Sequence, residues 1–291
     1  ILPGEKATYR ESIFIERAIV GARIRLAMGL NLLPVDEPNK ISDGLKEAER
    51  SQMYAEMQSK AHEIISAVVT NIEPVKGIVT LELGKGGVAT LPRNEQVAGE
   101  ELREGQHVKV YVVDVMETER GPRMMISRTH PGLVKRMFEM EVPEIFDGTV
   151  EIKAISREAG ARTKMAVWSK DENVDPVGAC IGPRGQRVAN IVEELGGEKI
   201  DIVRWSEDPA QFISAALSPA TVVGVELLEG DTKSCRVTVP DHQLSLAIGN
   251  KGQNARLCAR LTGYNIDIRP ESGYYGEEPP VKKTPEPAAE E

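Results

Sequence analysis

The sequence predicts a multidomain α+β protein: a helical N-terminal segment, a small five-stranded β-barrel, and two α/β units of one design. Three observations lead there. Hydrophobic periodicity switches from helical to strand-like near His62. Five short apolar runs joined by glycine-containing turns follow, between Glu63 and Ser127. After them, a helix, a Gly-x-x-Gly loop, a second helix and a strand occur twice in the same order, around Gly182–Gly185 and Gly249–Gly252. The expected organisation is a helical segment or connector at 1–60, the barrel at 61–130, one unit at 131–205, its repeat at 206–270, and a disordered acidic Pro/Glu tail at 271–291.

Composition bounds the function. At about 100–200 residues per domain, 291 residues suggest two or three domains. Aromatic residues are 4% of the chain, so the cores should be aliphatic. With 36 Lys+Arg against 45 Asp+Glu, the net charge is −9, and any nucleic-acid site must be a local basic feature on an acidic body. Cys180, Cys235 and Cys258 form no C-x-x-C pair, which fits buried thiols in a reducing cytoplasm. The apolar stretch from Ile13 to Leu30 carries Glu16, Arg17, Arg23 and Arg25, too much charge for a membrane span. The chain opens on Ile1 rather than Met, so an upstream segment is expected.

Element by element, Glu11–Met28 reads as a helix with Gly29 as its stop, and the proline-containing stretch Leu33–Pro38 prevents continuation. A connector helix follows, N-capped by Ser42 or Asp43 and ending near Lys60. The barrel strands are expected at Glu63–Val69, Ile78–Leu83, Val88–Leu91, His107–Val115 and Met124–Ser127, a spacing that suggests an OB-type barrel. Helix Leu133–Glu141 precedes the first unit: strands Thr149–Arg157 and Thr163–Ser169, helices Pro176–Ile181 and Gln186–Leu195, strand Lys199–Trp205. The second unit repeats it: helix Pro209–Leu217, strands Thr221–Leu228 and Ser234–Val239, helices Asp241–Ile248 and Gln253–Leu261, strand Asn265–Arg269.

A single Gly-x-x-Gly between helices is most simply a helix stop, because glycine tolerates positive φ. Recurrence in one context, with a cation at the third position each time, points further. Two missing Cβ atoms let a sugar-phosphate backbone approach the main chain, the next helix presents free N–H groups, and the cation meets phosphate. In KH domains such a loop clamps about four nucleotides. The candidate RNA contacts are therefore Gly182, Pro183, Arg184, Gly185, Gln186 and Arg187 in the first copy. In the second they are Gly249, Asn250, Lys251, Gly252, Gln253, Asn254 and Arg256. Bases would lie in apolar grooves around Ile181, Val188, Ile200 and Ile202, and around Ile248, Ala255, Ile266 and Ile268, although for each of these residues taken singly a core position is the better reading. In the barrel, Lys85, Arg93, Lys109, Tyr111 and Arg128, with Arg120 and Arg123, are candidates for a single-strand groove; ordinary surface charge is the competing reading.

Enzyme readings find little support. No Lys-Ser or Lys-Thr follows the glycines as a triphosphate loop requires, and both loops follow helices, whereas a dinucleotide fingerprint follows a strand. His62, His107, His130 and His242 show no metal-ligand spacing, and no G-x-S-x-G occurs.

Leu45–Arg50, Glu141–Ile145, Asp175–Gly182, Gly196–Val203, Asp208–Ile213 and Ala247–Asn254, taken together, resemble the NusA family of bacterial transcription elongation, termination and antitermination factors. The resemblance implies an OB-fold of the ribosomal S-one class followed by two type II KH domains. It implies a non-enzymatic, cytoplasmic, monomeric RNA-binding factor without cofactor or metal. Its partners would be single-stranded nascent RNA, RNA polymerase and other termination or antitermination factors, with no membrane. Residues 1–40 show no obvious match to the family's polymerase-docking N-terminal domain; the readings open for them are a remnant of that domain, a divergent version of it, or the end of a truncated chain, so polymerase binding comes from the resemblance alone. Two other readings use the same modules: a ribosome-assembly or translation protein, and a fragment of an RNA-degrading enzyme of the polynucleotide phosphorylase kind. In the latter a single KH unit precedes the OB module, the reverse of the order here.

Overall fold

The computed structural model describes residues 38–84, 87–118, 121–230 and 232–273. The expected helix Glu11–Met28 and the Pro/Glu tail from residue 274 on lie outside them. The tail's expected start is corrected, because residues 271–273 form a turn in which the Glu271 N–H donates to the Val239 carbonyl at 2.9 Å and the Ser272 N–H to the Asp241 carboxylate at 3.0 Å. Helix α1 runs Pro38–Gln58, starting earlier than a cap at Ser42 or Asp43 would place it.

The barrel strands are β1 (Ile64–Ile72), β2 (Val79–Glu82), β3 (Val88–Leu91), β4 (His107–Thr118) and β5 (Gly121–Ser127), in the order β3-β2-β1-β4-β5. Alternation decides the inside: Ala67, Val69, Val79, Leu81, Ala89, Leu91, Val110 and Ile126 are buried in an aliphatic core. A bulge between Val69 and Asn71 bends β1, as closing a small barrel requires. The Arg128 N–H donates to the Glu95 carbonyl at 2.9 Å, joining the end of β5 to the turn after β3.

Helices α2 (Pro131–Glu141) and α3 (Pro143–Phe146) lead into the first unit; α3 is an element the sequence did not announce. The unit continues with β6 (Val150–Glu158), β7 (Arg162–Ser169), α4 (Pro176–Ile181), α5 (Gln186–Glu194) and β8 (Lys199–Arg204). The second unit contains α6 (Pro209–Ala216), β9 (Gly224–Leu228), β10 (Ser234–Val239), α7 (Leu244–Ile248), α8 (Gln253–Thr262) and β11 (Asn265–Pro270). Two expectations are corrected. The helix expected over Asp241–Ile248 divides into a 3-10 turn at Asp241–Gln243 and α7, and the strand expected from Thr221 begins at Gly224.

The two sheets share one topology. β6 pairs antiparallel and β8 parallel with β7; β9 pairs antiparallel and β11 parallel with β10. One face of the first sheet packs Val150, Met165 and Val167 against Leu133, Phe138, Cys180 and Ile191 of its own helices. Its other face gives Ala166 and Val203 to a core with Phe212, Ile213, Leu217, Cys258 and Leu261 of the second unit. β7 is consequently buried on both faces from Thr163 to Val167, including Lys164.

Candidate nucleic-acid interface

Each loop is built by the sequence around it. Asp175 caps α4, its carboxylate accepting from the Val177 and Gly178 amides at 3.3 and 3.0 Å, and Pro176 occupies the first turn. The helix stops at Gly182 (φ 74°, ψ 175°); Arg184 then takes φ 56°, ψ 22° and Gly185 φ 76°, ψ 13° before α5 starts. The second copy repeats these angles: Gly249 at φ 77°, ψ 173°, Lys251 at φ 50°, ψ 31° and Gly252 at φ 75°, ψ 17°. In each loop the second glycine N–H donates to the first glycine's carbonyl at 3.1 Å.

The cations are the informative residues. Arg184 and Lys251 are two of three non-glycine residues at positive φ among those described. Left-handed backbone costs an L-residue about 1–2 kcal/mol, and glycine would remove that cost. Both side chains are exposed at the loop tip, so the strain is held where a charge faces solvent, as functional sites commonly hold it.

The first glycine of each loop has a second reason to be glycine. A Cβ on Gly182 would meet Arg187 side-chain carbons at 2.5–2.9 Å, and one on Gly249 would meet the Asn254 Cβ and backbone nitrogen at 2.8 Å. Arg187 and Asn254 occupy equivalent positions and do the same work. Arg187 Nη1 donates to the Ala179 carbonyl at 2.6 Å and pairs with Glu144 of α3 at 2.9 Å. Asn254 Nδ2 donates to the Ala247 and Leu217 carbonyls at 2.9 and 3.1 Å. Asn254 is therefore corrected as an RNA contact: it is 2% exposed and its Nδ2 fastens the preceding helix end, whereas the Arg187 side chain keeps 23% of its surface exposed beside its pairing with Glu144.

Pro183 and Asn250 are exposed in the loops. Gln186 is also exposed and bonds Asn190 at 2.8 Å. Gln253 and Arg256 reach across to the first unit, bonding the Glu158 carboxylate at 2.9 and 3.2 Å, while Arg256 also donates to the Lys251 carbonyl. The hydrogen bond from Gln253 holds the Glu158 carboxyl below its ordinary range against the opposing effect of burial, and Arg256 and Arg260 add to it. Of the expected groove residues, Ile181 and Ile248, one before each loop, remain exposed at 39% and 36%, whereas Ile268 is core.

In the barrel the expected set divides. Arg93 is exposed, and Arg123 lines a cleft of about 370 Å³ with Ile78, Met116 and Met125. Lys109 is half-exposed but paired with Glu194 at 3.0 Å. Tyr111 and Arg128 are corrected. Tyr111 is buried, stacked on His130 with ring centres 4.7 Å apart, and offers no face to a base. Arg128 is buried against Glu100 and the Lys109 carbonyl. Lys85 and Arg120 lie outside the described residues.

Burial pushes the Cys180 and Cys258 thiols up to about 12, which removes them as nucleophiles. Among the described residues no group of His, Cys, Asp or Glu could hold a metal ion, and no helix is long and apolar enough to cross a membrane.

Comparison with known proteins finds three modules in this order. Residues 58–127 match the S1 RNA binding domain, 128–205 the NusA-like first KH domain, and 209–275 the NusA-like second KH domain. The transcription termination/antitermination protein NusA of Halalkalibacterium halodurans is 51% identical over 232 residues, covering 80% of this chain and 60% of that protein. The protein of the same name from Thermus thermophilus is 48% identical over 226 residues, covering 78% and 58%. The one from Mycobacterium bovis is 47% identical over 247 residues, covering 83% and 70%. The chain thus spans roughly three-fifths to seven-tenths of these relatives. With 47% identity held across 70% of the mycobacterial protein, the chain belongs to the NusA family.

Proposed function

We propose that this chain is a non-enzymatic RNA-binding transcription factor. It holds single-stranded nascent RNA on its two loops and acts with RNA polymerase on pausing, termination and antitermination, as a cytoplasmic monomer. The observation that carries the reading is the exposed cation at positive φ, repeated in both loops at matching backbone angles. Each loop places that charge, glycine main chain and a helix start around one spot, the chemistry a ribose-phosphate backbone needs. The names of the relatives support a role in termination and antitermination.

Substitution at the first glycines would break the Arg187 and Asn254 fastenings, so the loop tips make the cleaner test. Arg184→Asp and Lys251→Asp place a carboxylate where phosphate should sit, and Asp tolerates left-handed backbone. Fluorescence anisotropy with a labelled oligoribonucleotide should show each variant weakened about tenfold or more and the pair inactive, with native circular dichroism. Full affinity in the double variant would remove the RNA reading. Co-purification separates the partners: polymerase subunits support the transcription role, ribosomal particles the translation alternative.

A further inference from the structure

The second loop is not the property of the second unit alone. Beside it lies a pocket of about 350 Å³ whose lining includes Ser245, Gly249, Asn250 and Gln253 of the second unit and Arg162 and Lys199 of the first. The two sides of this pocket are locked together. Glu158 of β6 bonds Gln253 and pairs with Arg256, the residue that holds the Lys251 carbonyl. Buried Lys164 of β7 donates to the Ser218 carbonyl and pairs with Asp201 at 3.1 Å. Arg162 is committed, its guanidinium bonding both Asp201 oxygens at 2.7 and 2.9 Å. Lys199 is not: it is exposed at the start of β8 and makes no ion pair among the described residues.

The duplication supplies a control. Lys199 precedes Ile200-Asp201-Ile202, and the equivalent residue before Ile266-Asp267-Ile268 is Asn265, which is uncharged. A cation at this position therefore occurs only in the copy that has another unit's loop beside it.

We propose that Lys199 contacts a phosphate of the RNA strand gripped by the second loop, so that this site is completed by the first unit, with Glu158 as a positioning residue. The inference rests on the RNA reading above. The ligand chemistry is a backbone phosphate next to those held by Gly249–Gly252.

The test uses the whole chain and a fluorescein-labelled, mixed-sequence oligoribonucleotide of about twelve nucleotides, three times the span of one KH clamp. Lys199→Gln should weaken binding about three- to fivefold and lower the salt slope by about 0.7, with unchanged melting. The same loss should appear in the Arg184→Asp background and vanish in the Lys251→Asp background, where the strand no longer reaches the pocket. Glu158→Gln should weaken binding in the same background-dependent way; tighter binding would mean that Glu158 only masks Arg256 and Arg260. Unchanged affinity in Lys199→Gln, or an equal loss with Lys251→Asp present, overturns the proposal. If Arg184→Asp and Lys251→Asp are themselves silent, the RNA reading fails and takes this inference with it; silence of Lys199→Gln alone leaves the RNA reading standing.

Discussion

Arg184 and Lys251 set function against stability within single residues. Their left-handed backbone is a conformation glycine adopts freely, and nothing else at the exposed tip requires a side chain. Arg184→Gly and Lys251→Gly should each raise stability by about 0.5 kcal/mol, the relief of strain exceeding the extra entropy of an unfolded glycine. RNA affinity should fall at the same time. Urea unfolding and anisotropy on one preparation read both signs, and a variant that loses stability would deny the strain. The loops themselves were legible in the sequence, because glycine spacing and a repeated cation are written directly in residue type. Tyr111, Arg128 and Asn254 were not. Each is a plausible RNA contact by type, and only packing reveals that His130, Glu100 or a helix-end carbonyl already occupies it.

Among the elements, helices that open on an Asp-Pro pair and strands of strict alternation were read nearly to the residue. Pro176–Ile181 begins behind Asp175 as a capped helix should, and Ser234–Val239 alternates cleanly between half-buried and buried. Helix α3 escaped because Pro143–Phe146 is a single turn, too short to show a period. The buried contact between the barrel end and the first unit also has no sequence signal. Arg157 of β6 donates to the Arg128 and His130 carbonyls at 2.9 and 3.0 Å and forms two 2.9 Å bonds with Glu198. Burial alone would raise the Glu198 carboxyl. Arg157, the Thr163 hydroxyl and the Gly160 amide outweigh it and leave the group below its ordinary range. A lowered folded-state value means that this stabilisation is fully present above the unfolded value of about 4.3. It is lost as pH falls through the lower folded value. Circular dichroism against pH should therefore show a step of acid unfolding that Glu198→Gln flattens. Since Arg157 would remain buried without its counter-charge, that variant should also lose about 3–5 kcal/mol at neutral pH.

For the whole molecule, the duplication was visible in the sequence, but the use the second unit makes of the first was not. The unbroken burial of Thr163–Val167 arises because helices α6 and α8 cover a sheet face that would otherwise meet water. The first unit should therefore depend on its neighbour. Removing residues 206–291 would expose Ala166, Val203 and the Lys164 ammonium, and the urea midpoint of the remaining first unit should fall well below that of the intact chain. Trp168 and Trp205, the two tryptophans of the chain, lie edge to face with ring centres 6.4 Å apart, and Trp205 packs against the shared core, so their fluorescence reports the change. An unaltered midpoint would mean that the units are thermodynamically separate. The same sheet position shows how far the copies have diverged. Lys164 and Arg236 each face an aspartate on the adjacent parallel strand, Asp201 and Asp267, yet the first side chain is fully buried and the second 35% exposed. A module recruited to roof its twin can no longer trade places with it. Exchanging the order of the repeats would strand the Lys164 ammonium without its lid, so the two copies are no longer interchangeable parts.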